Sequence, residues 1–150
     1  MATRWLNDDE MRLWRAFIQA GPSVIGRIDA DLRADADLTM DDYEVLVHLS
    51  EIPDHRLRMS DLSERVLQSR ARLSQRIDRM AARGLVAREK CDADGRGTFA
   101  ALTPHGRATI NSAAPDHVAS VRRHLLDALD ADAVAGTADA LWQILDGLED

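Results

Sequence analysis

The hydrophobic pattern of the chain changes its period at Gly84, and this change constrains the fold more than any other feature. Before Gly84, apolar residues recur every three or four positions, the spacing that gives a helix one buried stripe. After it, residues 85–91 (LVAREKC) and 98–103 (TFAALT) alternate apolar and polar side chains around the turn sequence DADGRG. The pattern predicts a helix that ends at Gly84, in a left-handed C-terminal position, followed by a β-hairpin.

Two helices are predicted at the start of the chain. Residues 8–33 have apolar side chains at three- and four-residue steps. Pro22 lies inside this helix and lacks an amide hydrogen, so we expect a kink or a break there. A second helix is predicted to begin at Thr39, which forms a capping box with Asp42, and to end at Pro53. Its buried face is expected to consist of Tyr43, Leu46 and Leu49.

Two shorter helices are predicted before the hairpin. Residues 59–67 (MSDLSERVL) form a short third helix, capped by Ser60, with Leu62 and Val66 turned inward. The fourth helix begins at the N-cap residue Ser69 and packs through Leu73, Ile77 and Met80. Two short helices joined by a tight turn and followed by a hairpin predict a winged helix-turn-helix.

Two more helices are predicted after the hairpin. Thr103 and Pro104 have the residue types of a cap and a first-turn proline, and Pro115 is expected to bend the fifth helix. The sixth helix is predicted from about Asp132. The 150 residues therefore predict one domain that is mainly α with a small β-hairpin wing.

Basic side chains are concentrated in the predicted helix-turn-helix and hairpin of an acidic chain. The whole chain carries 26 acidic and 19 basic side chains, a formal net charge of −7. Residues 56–107 carry 12 basic and 6 acidic ones, a net charge of +6, whereas the remainder carries −13. A single arginine on a helix is equally well explained as a solvated residue. The segregation of the whole cluster favours a face that binds a polyanion such as DNA.

The first two turns of the fourth helix carry the side chains best suited to contact DNA. In helix-turn-helix proteins these turns enter the major groove, where arginine pairs with guanine and glutamine with adenine. Ser69 is equally well explained as a cap alone, and the later Arg79, Arg83 and Arg88 are expected only to support the basic face. The predicted DNA-binding residues of this helix are Ser69, Arg70, Arg72, Ser74, Gln75 and Arg76.

The turn of the hairpin carries one more candidate contact. Arg96 lies at its tip and is predicted to enter a narrow minor groove, with Asp94 orienting it as wing support. The alternative is a solvated turn residue paired with Asp94. Cys91, at the end of the first hairpin strand, is expected to be a packing or surface residue, because a redox role needs an exposed thiol of low pKa.

Several other classes of protein are not supported. The single cysteine excludes an internal disulfide, and the five histidines do not fall at metal-ligand spacing. There is no nucleophile motif and no phosphate-binding glycine loop, so we expect no enzyme activity, metal or cofactor. No apolar run approaches the ~18 residues of a membrane span. The N-terminal stretch does not resemble a signal peptide, so a cytoplasmic protein without membrane contact is expected.

Four motifs within residues 38–106 carry a family resemblance. They are LT…VL..L in the second helix, IDRM..RGLV.R at the end of the fourth, D.R in the hairpin and LT..G at the start of the fifth. Each motif alone is weak, but together they are specific. With these motifs the stretch closely resembles the DNA-binding core of MarR-type regulators.

The resemblance implies a MarR-like homodimer. The single domain 1–150 would contain a winged helix-turn-helix lobe over 38–106 and a helical dimerisation region over 5–34 and 104–149. Its two recognition helices would bind the half-sites of a palindromic operator in double-stranded DNA. The alternative is a winged-helix protein–protein interaction module that uses its basic face against an acidic partner.

The resemblance also implies a repressor that a small phenolic or aromatic effector releases from DNA. Family pockets lie beside the first two helices, although ordinary packing is the alternative for every candidate. Oxidant-sensing members have a cysteine near the start of the first helix, and this chain has none there. The candidate pocket residues are Trp14, Arg15, Phe17 and His48.

Overall fold

The computed structural model describes residues 3–90 and 97–148. These residues form two compact units, described separately below: the helical unit (residues 1–28 and 117–150) and the lobe unit (residues 29–116). In chain order the elements are α1 (Asp8–Ala36), α2 (Met40–Glu51), β1 (Arg56–Arg58), α3 (Met59–Arg65), α4 (Arg70–Ala82), β2 (Val86–Lys90), β3 (Thr98–Leu102), α5 (Pro104–Val121), a π-helical turn (Arg122–Leu126) and α6 (Ala131–Asp146).

The predicted hairpin is confirmed as β2 and β3, and a third strand joins it. β3 lies in the middle of an antiparallel sheet with the order β1-β3-β2. In β1, Leu57 pairs with Ala100 of β3, and both are buried on the inner face of the sheet. The sequence did not predict β1, because three residues are too few for an alternating pattern to stand out.

The core of the lobe unit is apolar and contains the side chains that the helical periods predicted. α2 contributes Leu46 and Leu49, α3 contributes Leu62, and α4 contributes its whole stripe. Burying one such side chain stabilises a fold by about 1.5–3 kcal/mol. The largest fully buried side chains of this core are Leu38, Val45, Leu46, Leu49, Leu62, Leu73, Ile77, Met80 and Leu85.

The predicted helix ends at Thr39, Ser69 and Gly84 are confirmed, and the predicted cap at Ser60 is wrong. The Thr39 hydroxyl accepts from the Asp42 amide, and the Asp42 carboxylate accepts from the Thr39 amide, which completes the capping box. Ser69 caps α4, and Gly84 has φ +72° after its last turn. Ser60 does not cap α3, because the helix already begins at Met59 and its N-cap residue Arg58 makes no side-chain cap bond.

The two interior prolines do not interrupt their helices. α1 is continuous through Pro22, contrary to the break considered from the sequence. A proline removes one amide donor, and the turns on both sides are long enough to hold the helix together. Pro115 lies inside α5, which changes to π-helical hydrogen bonding only at Arg122.

Thr103 joins the start of α5 to the end of α4. Its hydroxyl donates to the carbonyl oxygen of Gly84 (2.6 Å) and accepts from the amide of Gly106 (2.9 Å). This brings the backbone of Gly106 so close to the α4–β2 turn that there is no room for a side chain. A Cβ atom on Gly106 would overlap the carbonyl oxygen of Leu85 and come within 2.9 Å of Leu102 Cδ1.

We therefore predict that Gly106→Ala destabilises the protein by about 1–3 kcal/mol, the usual cost of overpacking a close backbone contact. Urea unfolding measures the change. The matched control is His105→Ala, an exposed position in the same helical turn, which should unfold like the wild type. Equal midpoints for the two variants would contradict the close contact at Gly106.

Candidate nucleic-acid interface

The orientation of α4 follows from its buried stripe. Leu73, Ile77 and Met80 lie on one side of the helix and are completely buried or nearly so. The Ser69 hydroxyl accepts from the Arg72 amide at 3.3 Å and fixes the first turn. Since residues of a helix are spaced 100° apart, the side chains of Arg72 and Gln75 must lie away from the core, whereas Arg70 lies beside the stripe in the first turn and is nevertheless exposed.

These outward side chains are available to a partner. Arg70, Arg72 and Gln75 are all exposed. Within residues 3–90 and 97–148 none of the three side chains takes part in a hydrogen bond or an ion pair of the chain. Arg79, one turn further on, is also exposed, and its side chain makes no hydrogen bond or ion pair within those residues. The first half of α4 thus presents guanidinium and amide groups that the fold itself does not use.

Arg88 of β2 joins the hairpin to the outer side of α4. Its Nε donates to Asp78 Oδ1 (2.8 Å), and its Nη2 donates to the carbonyl oxygen and to the hydroxyl of Ser74 (both 2.9 Å). Ser74 therefore already has an intramolecular partner. Arg88, expected only to support the basic face, fixes the hairpin against the helix.

A basic cleft lies between α4 and the sheet within the lobe unit. Its volume is about 550 Å³. The described residues that line it include three arginines and three hydroxyl side chains, and none of them is a carboxylate. Such a lining is suited to the phosphate groups of a nucleic-acid backbone. The arginines are Arg58, Arg70 and Arg88, and the hydroxyl residues are Ser60, Ser74 and Thr98.

Two arginines of β1 belong to the same basic face and were not predicted as site residues. The guanidinium carbons of Arg56 and Arg58 lie 5.1 and 5.3 Å from the centre of the Phe99 ring. Arg56 also pairs with Glu89 at 3.3 Å. Both arginines belong to the basic cluster over residues 56–107, and that cluster was the signal in the sequence that could have found them.

Arg76 differs from the expectation that it faces outward. Its side chain is only 13% exposed and is directed towards the N-terminus of α2. It lies 2.6 Å from Asp42 Oδ1 and 2.7 Å from Asp41 Oδ2. These carboxylates are 34 and 35 residues away in the sequence, so helical periodicity alone could not reveal the contact.

The start of α2 is also tied to the end of α1. Asp29 accepts from the Met40 amide (2.7 Å) and from Arg33 Nε (2.6 Å). Burial acts to raise the pKa of Asp29, but the hydrogen bonds from Arg33 and from the Met40 amide outweigh it and lower the pKa below its ordinary value. Asp29 is therefore ionised at neutral pH and holds the first turn of α2.

Three residues of the sequence prediction lie outside the described residues. Arg96 and Asp94, the predicted wing contact and its support, belong to residues 91–96, as does Cys91. Their roles stay predictions. Nearby, Lys90 ends β2 and Thr98 begins β3, and the two residues pair with each other in the sheet.

The four predicted pocket residues do not lie in one unit. Trp14 and Phe17, each 51% exposed, line an apolar groove of about 700 Å³ between α1 and α6 of the helical unit. Arg15 is exposed and does not line this groove, and His48 is a half-buried residue of α2 in the lobe unit. The groove is lined by Leu6, Glu10, Leu13, Trp14, Phe17, Ala133, Gly136, Thr137, Ala140, Leu141 and Ile144.

Among the described part of the chain no cluster of histidine, cysteine and carboxylate side chains could hold a metal ion. None of the described helices is long and apolar enough to span a membrane. The basic face and the apolar groove are two features of the described surface that are suited to binding a partner.

Comparisons with known proteins point to one family. The sequence model of the MarR family matches residues 36–97. AbsC, a MarR family transcriptional regulator from Streptomyces coelicolor, is 45% identical, with a TM-score of 0.90 over 98% of this chain and 99% of AbsC. No curated protein sequence matches the chain significantly.

Two further solved structures add information about partners of those proteins. Sco3205, a MarR family transcriptional regulator from Streptomyces coelicolor, was solved in complex with DNA; it is 34% identical, with a TM-score of 0.94 over 99% of this chain and 93% of its own. The PcaV transcriptional regulator from the same organism was solved with its natural ligand. It is 24% identical, with a TM-score of 0.72 over 97% of this chain and 98% of its own, and shows the fold alone.

The contacts of Arg88 lead to a prediction about the hairpin. Arg88→Met should lower the free energy of unfolding by about 1–2 kcal/mol, because charge-assisted hydrogen bonds of a partly exposed group are lost. Urea unfolding measures this, and faster hydrogen exchange of the β2 amides would localise it. Lys90→Met is the matched control on the same strand. If both variants unfold alike, Arg88 does not hold the hairpin to α4.

Proposed function

The chain belongs to the MarR family of transcriptional regulators, and we propose that it is a repressor that binds a palindromic operator as a homodimer. One observation carries the DNA-binding part of this proposal. The outward side chains of Arg70, Arg72 and Gln75, in the first two turns of α4, are used by no other group of the described chain. They are the groups that major-groove recognition needs.

α4 is the proposed recognition helix. Arg70 and Arg72 donate to guanine edges or phosphates, and Gln75 pairs with adenine. Ser69 caps the helix and donates to a phosphate, and Ser74 makes a further contact beside the basic cleft. Arg96 is proposed to enter the minor groove, supported by Asp94. The structure of Sco3205 with DNA supports a DNA-binding role for this winged helix.

The charge distribution supports a single DNA-binding face. Residues 56–107 carry a net charge of +6 in a chain that otherwise carries −13. Phosphates are attracted to the first region and repelled by the second, so the protein approaches DNA with the lobe unit. A cytoplasmic location follows from a function on chromosomal DNA.

The proposed dimer contact is the apolar groove of the helical unit. Trp14, Phe17 and Leu141 are at least 40% exposed in the single chain, as are several other large apolar residues of this unit. Monomeric soluble proteins rarely expose such a contiguous apolar surface. A second copy of the chain would cover it through the same residues, as a two-fold interface requires. This is the arrangement a palindromic operator calls for.

Release by a small aromatic effector is the regulatory part of the proposal. PcaV was solved with its natural ligand and supports such a role at the level of the fold. The candidate contacts within the helical unit are Trp14 and Phe17, which offer aromatic faces in the groove, whereas Arg15 does not line it and His48 belongs to the lobe unit. Titration of phenolic acids into the protein–operator complex tests this step, and an unchanged affinity with every compound would contradict it.

The proposed base contacts of α4 can be tested by substitution of its outward arginines. The operator is identified by recovering bound DNA fragments genome-wide. Arg72→Ala and Arg70→Ala should each weaken operator binding by about 1–3 kcal/mol if they pair with guanine, with relaxed specificity at one base pair. A residue that contacts phosphate instead weakens all duplexes alike and lowers the salt slope by about 1. Fluorescence anisotropy at several salt concentrations distinguishes these cases.

The matched control is Arg12→Ala, an exposed arginine on the side of α1 away from the groove. It removes the same charge and should leave operator affinity unchanged. Wild-type affinity in both α4 variants would show that the recognition helix is wrongly assigned. A stable complex with an acidic protein, and no specific DNA binding, would favour the protein–protein module instead.

The proposed dimer contact can be tested by placing a charge in the apolar groove. Leu13→Glu places a charge in the groove beside Glu10 and should convert the dimer into a monomer, because burying an unpaired carboxylate is costly. Sedimentation velocity measures the mass. Arg12→Glu, one residue away on the other side of α1, is the control and should remain dimeric. A dimer in both variants would place the interface elsewhere.

A further inference from the structure

We propose that Arg76 is a positioning residue, which sets the rotation of α4 about its own axis by holding the carboxylates at the start of α2. The inference rests on the proposed function, since it assigns a role in DNA recognition. It replaces the direct contact with DNA that the sequence suggested for this residue. Arg76 would act on specificity through Arg72 and Gln75, without touching DNA itself.

Arg76 uses three of its nitrogen atoms on partners within the lobe unit. Nη1 donates to Asp42 Oδ1 (2.6 Å) and to the Thr39 hydroxyl (3.1 Å). Nη2 donates to Asp41 Oδ2 (2.7 Å), and Nε donates to Gln68 Oε1 (3.2 Å). Four bonds from a planar group fix its position and its plane. Together they join the start of α2, the residue before the α4 cap and α4 itself.

The partners of Arg76 are themselves held in place. Asp42 is a buried residue, 8% exposed, whose second oxygen accepts from the Thr39 amide at 3.1 Å. Thr39 caps the same helix, and the next amide, that of Met40, donates to Asp29 on α1. The buried carboxylate of Asp42 therefore cannot follow a displaced guanidinium. α4 has to adopt the rotation that lets Arg76 reach it.

Direct base recognition by Arg76 would require these bonds to break. Pairing with guanine needs two donors of the guanidinium in the plane of the base. Turning Arg76 outward would leave Asp42 buried without its ion-pair partner, which is a costly change. Arg72 lies one turn before Arg76 and offers the same guanidinium without such a loss. The fold therefore favours Arg72 as the reader and Arg76 as its support.

The position of Arg76 on the helix explains how it can affect recognition. At 100° per residue, Arg76 lies at the edge of the buried stripe, between Leu73 and Arg72. Rotating α4 by about 20° would move side chains that lie about 5–6 Å from its axis by about 2 Å. Hydrogen bonds to base edges do not survive such a shift. The apolar stripe alone resists small rotations weakly, because dispersion contacts are not directional.

The test compares Arg76→Met with Arg72→Ala in operator binding. Methionine keeps much of the length of the side chain but makes none of the four bonds. Arg76→Met should lower operator affinity about tenfold or more, while affinity for random duplexes and the salt slope stay at wild-type values. Arg72→Ala should behave differently, through a lower salt slope if it contacts phosphate or relaxed preference at one base pair if it reads a base. Arg12→Met, on α1, is the control for loss of a positive charge.

A double-mutant cycle tests whether Arg76 acts through Asp42. Asp42→Asn lies on α2, yet it should lower operator affinity in the same way, with an unchanged salt slope. The double variant should lose no more affinity than the weaker-binding single variant, because both changes remove one interaction. Additive losses would show that Arg76 contributes independently of Asp42 and would overturn the proposal.

Two milder variants keep the test decisive if Arg76→Met does not fold, as judged by circular dichroism at the assay temperature. Asp41 is 54% exposed, so Asp41→Asn removes one partner without leaving a buried charge. Arg76→Lys can reach one carboxylate but cannot bridge both. Both should lose part of the operator affinity at an unchanged salt slope.

Besides additive losses in the double-mutant cycle, two outcomes with the folded variants would overturn the inference while leaving the function intact. The first is a change at Arg76 that lowers the salt slope or relaxes preference at a single base pair, as a direct contact would. The second is wild-type operator affinity in every variant of Arg76, Asp41 and Asp42. A wild-type protein that does not distinguish any duplex from random DNA would instead contradict the proposed function.

Discussion

The burial of one side of α4 is the constraint on which the DNA-facing surface depends. Leu73, Ile77 and Met80 supply much of the core of the lobe unit, and their burial decides which side chains of the same helix remain in solvent. The outward set is Arg70, Arg72 and Gln75, the residues that the proposed function uses. A substitution that alters how α4 packs in the core therefore also alters which side chains the helix presents to a ligand. Stability and recognition are therefore coupled within these thirteen residues.

Folding divides the arginines of the basic region into two groups. Arg76, Arg83 and Arg88 pair with the carboxylates of Asp42, Asp37 and Asp78 and hold elements of the lobe unit together. The exposed pairs add little free energy individually, but they fix the direction of each side chain. In the described part of the chain no such partner binds Arg70, Arg72 or Arg79, so their guanidinium groups are available to a ligand. Charge counting in the sequence finds the region but cannot separate these two groups.

What could be predicted from the sequence depended on the range of the interaction. The capping box of Thr39 and Asp42, the Ser69 cap and the turn at Gly84 are set within a few residues, and local sequence reveals them. Ser60 was wrong as a cap because β1 runs directly into α3, and a three-residue strand leaves almost no periodic signal. The contact between Arg76 and Asp42 spans 34 residues and depends on how two helices pack. No pattern within one helix contains that information.

The surface of α6 bears on the proposed dimer. Ala133, Ala140 and Ile144 line the groove with α1, while Trp142 and Leu145, also exposed, lie on another side of the helix. At 100° per residue, apolar side chains occupy about two thirds of its circumference. A helix that is apolar over so much of its surface is normally buried. One chain leaves it uncovered, so the helical unit is incomplete alone. A two-fold partner that covers it would also supply a second α4, so the proposed palindromic operator would follow from how the helical unit completes its core.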